Sequence, residues 1–211
     1  MIAYAISAAK ESGLFEHIIV STDDHQTARI ANEWGAETPF VRPGELANDY
    51  TETVPVIAHA VKACLALSWK IDNVCCIYPG VPFIEINDLT SALSTFIKSG
   101  ADYCFPVTEY PSAIQRALKR LGDGKMQPLN PKFEKTRTQD LEPAYYDAGQ
   151  FYWGKAESWL VNSNIHSSGL GYVIPNWRVV DIDTLEDWRR AELIYLSIIN
   201  NNRVIETVKL L

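Results

Sequence analysis

The sequence predicts an α/β fold, in which a Rossmann-like and mostly parallel sheet is flanked by helices on both faces. Short apolar, β-branched runs alternate with segments whose apolar residues recur at helical spacing, over residues 17–107 and again from residue 148 onward. The short runs are apolar almost throughout, which is typical of strands that are buried on both faces of a parallel sheet. Together these two patterns favour strand-helix-strand units over an all-helical or all-β fold.

The first half of the chain contains four predicted helices that alternate with four predicted strands. Gly35 and Gly100 follow helical segments and are expected to end them, because glycine readily adopts the left-handed conformation found at helix ends. Thr22 or Asp23 is expected to cap the second helix. In chain order the predicted elements are helix 1–15, strand 17–22, helix 23–34, strand 36–41, helix 51–67, strand 73–79, helix 87–100 and strand 101–107.

The second half interrupts this alternation and then resumes it. Residues 108–145 are largely polar, and the sequence Gly-Asp-Gly at 122–124 predicts a hairpin within them. This excursion has too little apolar content for a core of its own, so we expect it to fold over a partner or a binding site. The pattern then continues with strand 148–154, helix 157–163, strand 171–175, strand 179–183 and a final helix from 184 to about 200.

Composition and charge limit the possible functions. The 211 residues carry a formal charge of −7 and are 47% hydrophobic, which is sufficient for a single domain with one sizeable core. A net acidic chain is poorly suited to general nucleic-acid binding. Four cysteines without CxxC spacing and four scattered histidines predict neither a zinc site nor a disulfide framework. No signal peptide and no membrane-spanning apolar run is found, so we expect a soluble, cytoplasmic protein.

The chain opens directly in an amphipathic helix. A doubly wound sheet normally begins with a strand, and the loop after that strand binds phosphate at a helix N-terminus. Neither this opening strand nor a Gly-rich phosphate loop is found in residues 1–211. We therefore expect the single domain 1–211 to be N-terminally incomplete.

Two acidic residues follow the last predicted strand, in VVDIDTLEDW. Asp181 and Asp183 alternate with Ile182, so on a strand they point to one face while Ile182 enters the core. Ligands of open α/β sheets bind beyond the carboxyl ends of the strands, and Mg²⁺ often takes one or two carboxylates completed by phosphate oxygens. The pair is therefore suited to hold a metal against a nucleotide phosphate. The same residues also fit a strand end followed by a helix cap at Asp183 or Thr184, and the spacing leaves both interpretations open.

Five segments, in this order, resemble cytidylyltransferases that activate nonulosonic (sialic-type) acids: HIIVSTDD, RPGELANDYTETVPV, CCIYPGVPF, YYDAGQFYW and VVDIDTLEDW. The similarity runs from about residue 2 to residue 200, and YTETVPV and YYDAGQFYWGKAESWL are most similar to the pseudaminic acid branch. The resemblance implies a fold of the nucleotide-diphospho-sugar transferase type. It also implies a reaction in which CTP and the sugar acid give the CMP-sugar and pyrophosphate.

The resemblance implies roles for several charged residues. Asp181 and Asp183 match the family's metal-binding pair, which would hold Mg²⁺ against the triphosphate. Arg42, in RPGELA, matches a position that lines the cytidine site. Arg137 matches an arginine that reaches the active site of a neighbouring subunit, so the resemblance implies a homodimer in which the 108–145 excursion crosses to the partner. A guanidinium fork there fits the carboxylate of the sugar.

Three further residues are expected at the sugar. Gln150 and Tyr152 alternate onto one face of their strand, where an amide and a phenol can read hydroxyl and N-acyl groups. Tyr78 stands where the N-acetylneuraminate branch has a glutamine, although the Pro-Gly in YPGVP departs from the small residues of relatives and leaves its role open. From the residues alone, Arg42 fits equally a cation at a strand end, Arg137 a solvated loop charge and Tyr152 a core aromatic.

Two alternatives to this function stay open. Without a phosphate loop, the 211-residue chain could be a non-catalytic remnant or an assembly subunit of the same fold, and we expect it to be inactive or nearly so. The same chemistry could also act on another sugar acid, such as N-acetylneuraminate, legionaminate or Kdo. One substituent contact shifts such a preference by only about 1–3 kcal/mol.

Overall fold

The computed structural model describes residues 1–161 and 164–209, with side chains described as far as residue 198. The helices of this part are α1 (Ile2–Ser12), α2 (His25–Glu33), α3 (Thr53–Ala66), α4 (Ile86–Ser99), α5 (Ala156–Val161), α6 (Ile165–Ser168) and α7 (Leu185–Lys209). The strands are β1 (Asn73–Ile77), β2 (Tyr103–Glu109), β3 (Leu118–Arg120), β4 (Met126–Pro128), β5 (Tyr145–Asp147), β6 (Phe151–Lys155) and β7 (Gly169–Val173). An α/β fold with helices around a central sheet is therefore confirmed. The last two residues of the predicted helix 157–163 lie outside the described residues.

Local signals set most helix ends. Helix α1 ends before Gly13 and helix α4 ends before Gly100, and both glycines have the left-handed φ that a helix C-terminus favours, at 63° and 68°. Asp24 caps α2 by accepting the backbone N–H of Thr27 at 2.7 Å. The cap thus lies one residue beyond the positions expected from the sequence.

The central sheet is mixed in direction, which corrects the expectation of a mostly parallel sheet. Strand β6 lies between β1 and β2 and is antiparallel to both. Strand β5 is also antiparallel to β2, whereas β7 pairs with β2 in parallel. Strands β1 and β2 therefore run in the same direction but are separated by a strand from later in the chain. Apolar runs could not reveal this, because a strand buried on both faces has the same composition in either direction.

Three predicted strands do not form ladders. Segments 17–22 and 36–41 meet in a single parallel bridge between Ile19 and Glu37. Residues 179–183 form neither a strand nor a helix, so the predicted strand before the two aspartates is wrong. Val179 instead packs with Ala148 and Ile174 in a small buried cluster. Burial against side chains, rather than a hydrogen-bonded ladder, explains the apolar character of this segment.

Both faces of the sheet are covered by helices. Helices α3, α5 and α6 pack on one face, and α1 and α4 pack on the other. The first face has a tight contact at Gly154, where an added Cβ would lie only 2.5 Å from Nε1 of Trp159. Trp159 is fully buried and packs edge-to-face against Tyr103. Of the helices in the described part of the chain, none is long and apolar enough to cross a membrane.

The excursion contains the predicted hairpin as a separate two-stranded sheet. Strands β3 and β4 pair antiparallel, with Leu118 opposite Pro128 and Arg120 opposite Met126. The turn includes Gly124 at a left-handed φ of 86°. Because side chains alternate across a strand, Leu118 and Met126 share one face of the hairpin, and Gln127 lies on the other.

Candidate functional site

The two predicted metal ligands lie on residues 179–183, a stretch without helix or strand pairing that we call the acidic segment. Its first anchor is Arg178, a buried arginine whose guanidinium pairs with the buried carboxylate of Asp88 and lies 3.3 Å from that of Glu85. Both acids belong to the N-terminal end of α4. The side chain of Gln150 donates to the backbone carbonyl of Arg178 at 3.0 Å. The segment therefore starts from a fixed, hydrogen-bonded point.

The second anchor is a reciprocal cap at the start of α7. The hydroxyl of Thr184 accepts the backbone N–H of Asp187 at 3.2 Å, and the carboxylate of Asp187 accepts the backbone N–H of Thr184 at 2.9 Å. Thr184, rather than Asp183, thus caps the helix. This arrangement favours the metal interpretation of Asp181 and Asp183, because neither carboxylate is needed for the cap.

The acidic segment concentrates negative charge at the surface. Desolvation raises the pKa of Asp181, and repulsion from Asp183 and Asp187 raises it further. Within residues 1–161 and 164–198, no ion pair neutralises Asp181 or Asp183. Ile182 does not enter the core as expected; it is half-buried and lines a small cavity beside α7.

Two carboxylates that repel each other favour binding of a divalent cation, because the cation offsets the repulsion and prefers hard oxygen ligands. In the described part of the chain, no three His, Cys, Asp or Glu side chains form a metal centre. Asp181 and Asp183 would supply two carboxylate ligands, and Mg²⁺ commonly completes such sets with water and phosphate oxygens. The donor set of Asp181 and Asp183 thus fits Mg²⁺ bound jointly with a substrate phosphate.

Two of the predicted sugar-site residues come together on the α3 side of the sheet. The rings of Tyr78 and Tyr152 lie 5.4 Å apart. The hydroxyl of Tyr78 is 2.6 Å from that of Thr53, and the hydroxyl of Tyr152 donates to Asp147 at 2.9 Å. Burial raises the pKa of both tyrosines above the usual 10, and the charge of Asp147 raises that of Tyr152 further. Both phenols therefore keep their protons at neutral pH.

Gln150 links this aromatic pair to the acidic segment. It precedes β6 and is only 4% exposed, with its amide nitrogen bound to the carbonyl of Arg178. Its side-chain oxygen is buried without a hydrogen-bond partner among the described residues. The acceptor capacity of this amide oxygen is therefore unused by the described residues.

Arg42 is partly buried and fixed to the 17–22 segment. Its Nε donates to the hydroxyl of Ser21 at 3.1 Å, and a terminal nitrogen donates to the Ser21 carbonyl. Burial raises the pKa of the Cys76 thiol in β1 to about 12. The positive charge of Arg42 partly offsets this rise, which indicates that Arg42 lies near β1. These two bonds leave guanidinium N–H groups for a ligand, since arginine has five.

Arg137 lies apart from these groups. It is exposed in the excursion and makes a bidentate pair with Asp140, at 2.8 and 3.0 Å. Among the described residues it contacts none of the other predicted site residues. Within one chain, the structure thus places it as the solvated loop charge that its sequence context also allowed.

Asp147 and His166 were not predicted. Asp147 accepts the hydroxyl of Tyr152, and His166 Nε2 lies 2.7 Å from the same carboxylate oxygen. The only sequence signal for Asp147 was its place in YYDAGQFYW, five residues before Tyr152. His166 lies in the short helix α6, which no sequence pattern predicted.

The mixed sheet between two layers of helices defines an α/β protein, and sequence comparison gives its family. The model of the Cytidylyltransferase family matches residues 1–151, well over half of the chain. This chain belongs to the cytidylyltransferase family.

Comparison with individual proteins shows which kinds of cytidylyltransferase are similar to this chain. The chain is 36% identical over 198 residues to the pseudaminic acid cytidylyltransferase of Campylobacter jejuni, which covers 92% of this chain and 84% of that protein. It is 26% identical to the CMP-N,N'-diacetyllegionaminic acid synthase of Legionella pneumophila, over 91% of this chain and 83% of that protein. The resemblance seen in the sequence motifs is confirmed.

Solved structures support the fold. The structure of CMP:2-keto-3-deoxy-manno-octonic acid synthetase complexed with CTP superposes with a TM-score of 0.63 at 12% identity, covering 91% of this chain and 86% of that one. A 4-diphosphocytidyl-2C-methyl-D-erythritol synthase gives a TM-score of 0.60 at 9% identity, covering 92% and 89%. At these identities the likeness concerns the fold alone.

Proposed function

We propose that this protein joins CTP to pseudaminic acid, giving CMP-pseudaminic acid and pyrophosphate, in a reaction that depends on Mg²⁺. The observation that carries the proposal is the acidic segment, which presents Asp181 and Asp183 at the surface while Thr184 and Asp187 form the helix cap. The identity of 36% to a pseudaminic acid cytidylyltransferase supports this choice of sugar.

The chain's own residues would bind and orient the two substrates. Asp181 and Asp183 would hold Mg²⁺, which when bound shields phosphate charge. Arg42 would contact the cytidine nucleotide, and Tyr78, Gln150 and Tyr152 would contact the sugar. The bond from the anomeric oxygen to the α-phosphorus forms as the bond from that phosphorus to the pyrophosphate oxygen breaks, so no covalent enzyme intermediate is needed. Orientation and electrostatics then supply the rate enhancement.

The proposal includes a homodimer and a cytoplasmic location. Six large apolar side chains in and beside the excursion are exposed, which suits a protein interface; they are Tyr110, Ile114, Leu118, Met126, Leu129 and Tyr145. In such a dimer Arg137 would reach the sugar carboxylate of the partner's site. Four free cysteines suit a reducing compartment.

The test is pyrophosphate release from CTP with a panel of sugar acids: pseudaminic acid, N-acetylneuraminate, N,N'-diacetyllegionaminate and Kdo. Calorimetry measures CTP and sugar binding in parallel, so that substrate binding is detected independently of turnover. The expected result is Mg²⁺-dependent activity that is highest with pseudaminic acid. A higher specificity constant with another acid would transfer the proposal to that sugar. Binding of both substrates without turnover would favour the non-catalytic alternative.

The acidic segment is tested in the same assay. Replacing Asp181 or Asp183 by Ala is expected to lower turnover by about 10²-fold or more, the scale of losing a main electrostatic contact. Glu186→Ala is the matched control, because it removes an exposed carboxylate from the first turn of α7 without touching the pair. Equal activity of the Asp variants and the control would contradict the metal role.

A further inference from the structure

The carboxylate of Asp147 is a meeting point for three hydrogen-bond donors. One oxygen accepts the hydroxyl of Tyr152 at 2.9 Å and lies 2.7 Å from Nε2 of His166. The other oxygen accepts the backbone N–H of Gly149 at 2.8 Å. Because an ionised carboxylate can only accept, the hydrogen of the imidazole lies on Nε2. The side chain of Asp147 is therefore held from three directions.

This arrangement fixes the direction of the Tyr152 hydroxyl. A phenol has one proton to donate, and Tyr152 gives it to Asp147. The oxygen of Tyr152 can then only accept further hydrogen bonds. Burial of the ring and the charge of Asp147 both raise the pKa of Tyr152, so the proton stays in place at neutral pH.

Asp147 and His166 differ in their exposure to solvent. Asp147 is largely shielded, whereas two thirds of the His166 side chain is open to solvent. The ring of His166 rests edge-on against Phe105, 5.2 Å between centroids. His166 thus covers the carboxylate from the solvent side without being part of the core, so its replacement leaves no internal cavity.

We propose that Asp147, covered by His166, is a positioning residue that makes Tyr152 an obligatory hydrogen-bond acceptor for a donor group of the sugar. This inference rests on the proposed function and deepens it. An acylamino N–H can only donate, so it needs an acceptor at this place, whereas a hydroxyl group can turn and either donate or accept. The arrangement therefore selects sugar acids that present an acylamino N–H to Tyr152.

A double-mutant cycle on sugar binding tests this role, with KM taken from turnover and the Kd from calorimetry used in its place if turnover is too slow to measure. Asp147→Asn lets an amide donate to Tyr152, which frees the phenol proton to point toward the ligand. We expect Asp147→Asn and Tyr152→Phe each to raise the KM for the acylamino sugar acid about 10-fold. The double variant should show no further rise, since Asp147 acts through Tyr152. The KM for CTP should stay unchanged, which a general structural defect would not allow.

A second pair of variants covers the case in which Asp147→Asn does not fold. His166→Ala, at an exposed position, is expected to raise the KM for the sugar about threefold, on the scale of one modest hydrogen bond. The effect should vanish in the Tyr152→Phe background. His166→Gln keeps an N–H donor and should recover most of the loss.

The outcomes separate the two proposals. If the wild-type chain neither binds nor turns over any acylamino sugar acid, the proposed function fails and this inference fails with it. If the wild type uses such a sugar but the effects of the variants multiply in the double mutant, or the KM for CTP rises equally, only the positioning role is overturned.

Discussion

Asp181 and Asp183 place two like charges close together on one short stretch of the chain. Burial, the charge of Asp183 and the charge of Asp187 all raise the pKa of Asp181, although Asp187 takes part in the helix cap. The sequence indicated the pair by its spacing, but it could not decide between a cap and a metal site. The structure assigns the cap to Thr184, and the metal role of Asp181 and Asp183 stays a prediction.

Replacing Asp181 by Asn should stabilise the folded protein at neutral pH. The folded-state pKa of Asp181 is raised, so its stabilising contribution is present at acid pH and is lost as the pH rises through that pKa. At pH 7 the ionised carboxylate is therefore unfavourable, and Asn removes the repulsion. Thermal unfolding between pH 3 and pH 8 should give a higher Tm for the variant at neutral pH, and the difference should close below about pH 4.

Thermal unfolding of the wild type and of Asp181→Asn should also be measured with added Mg²⁺. The cation should raise the Tm of the wild type and raise that of Asp181→Asn less, because the variant has lost one charged ligand. Glu186→Gln serves as the control and should respond to Mg²⁺ as the wild type does. Identical pH profiles for wild type and Asp181→Asn would show that the two carboxylates do not interact in the folded state.

At the scale of elements, local signals predicted helices better than strands. Gly100 and the apolar periodicity gave α4 within one residue at each end. Segments 17–22 and 179–183 have strand composition but no ladder, since pairing depends on which backbone lies alongside. The anchor of the acidic segment was equally hidden, because Arg178 and Asp88 are 90 positions apart in the chain. No local pattern reports such a pair.

The buried anchor predicts a large loss of stability for Arg178→Met. The change leaves Asp88 buried without its cation, and breaking such a pair costs about 3–5 kcal/mol. Urea unfolding followed by circular dichroism measures the change in the free energy of unfolding. Arg137→Met is the matched control, because it breaks an exposed pair with Asp140, which solvent screens so that its loss should change stability far less. Similar losses in the two variants would contradict the anchoring role.

At the scale of the whole molecule, the sequence predicted the composition of the layers but not their connection. The alternation of apolar runs and amphipathic segments gave helices on both faces of one sheet. The insertion of β6 between β1 and β2 depends on pairing between residues about 80 positions apart, such as Val74 and Gly154. The motifs around Tyr78 and Tyr152 predicted their proximity only through the family resemblance. The hydrogen bonds that meet at Asp147 join residues of β5, β6 and α6, so no local sequence pattern reports them.

The excursion predicts how the molecule assembles. Leu118 and Met126 lie exposed on one face of the hairpin, and Gln127 lies on the opposite face. If the apolar face forms the proposed homodimer, Leu118→Glu or Met126→Glu buries a charge in the interface and should convert the dimer to a monomer. Gln127→Glu introduces the same charge on the other face and should leave the dimer intact. Light scattering coupled to size-exclusion chromatography measures the mass in each case. A wild-type protein that is monomeric at tens of micromolar would contradict the dimer and, with it, the placing of Arg137 in a partner's site.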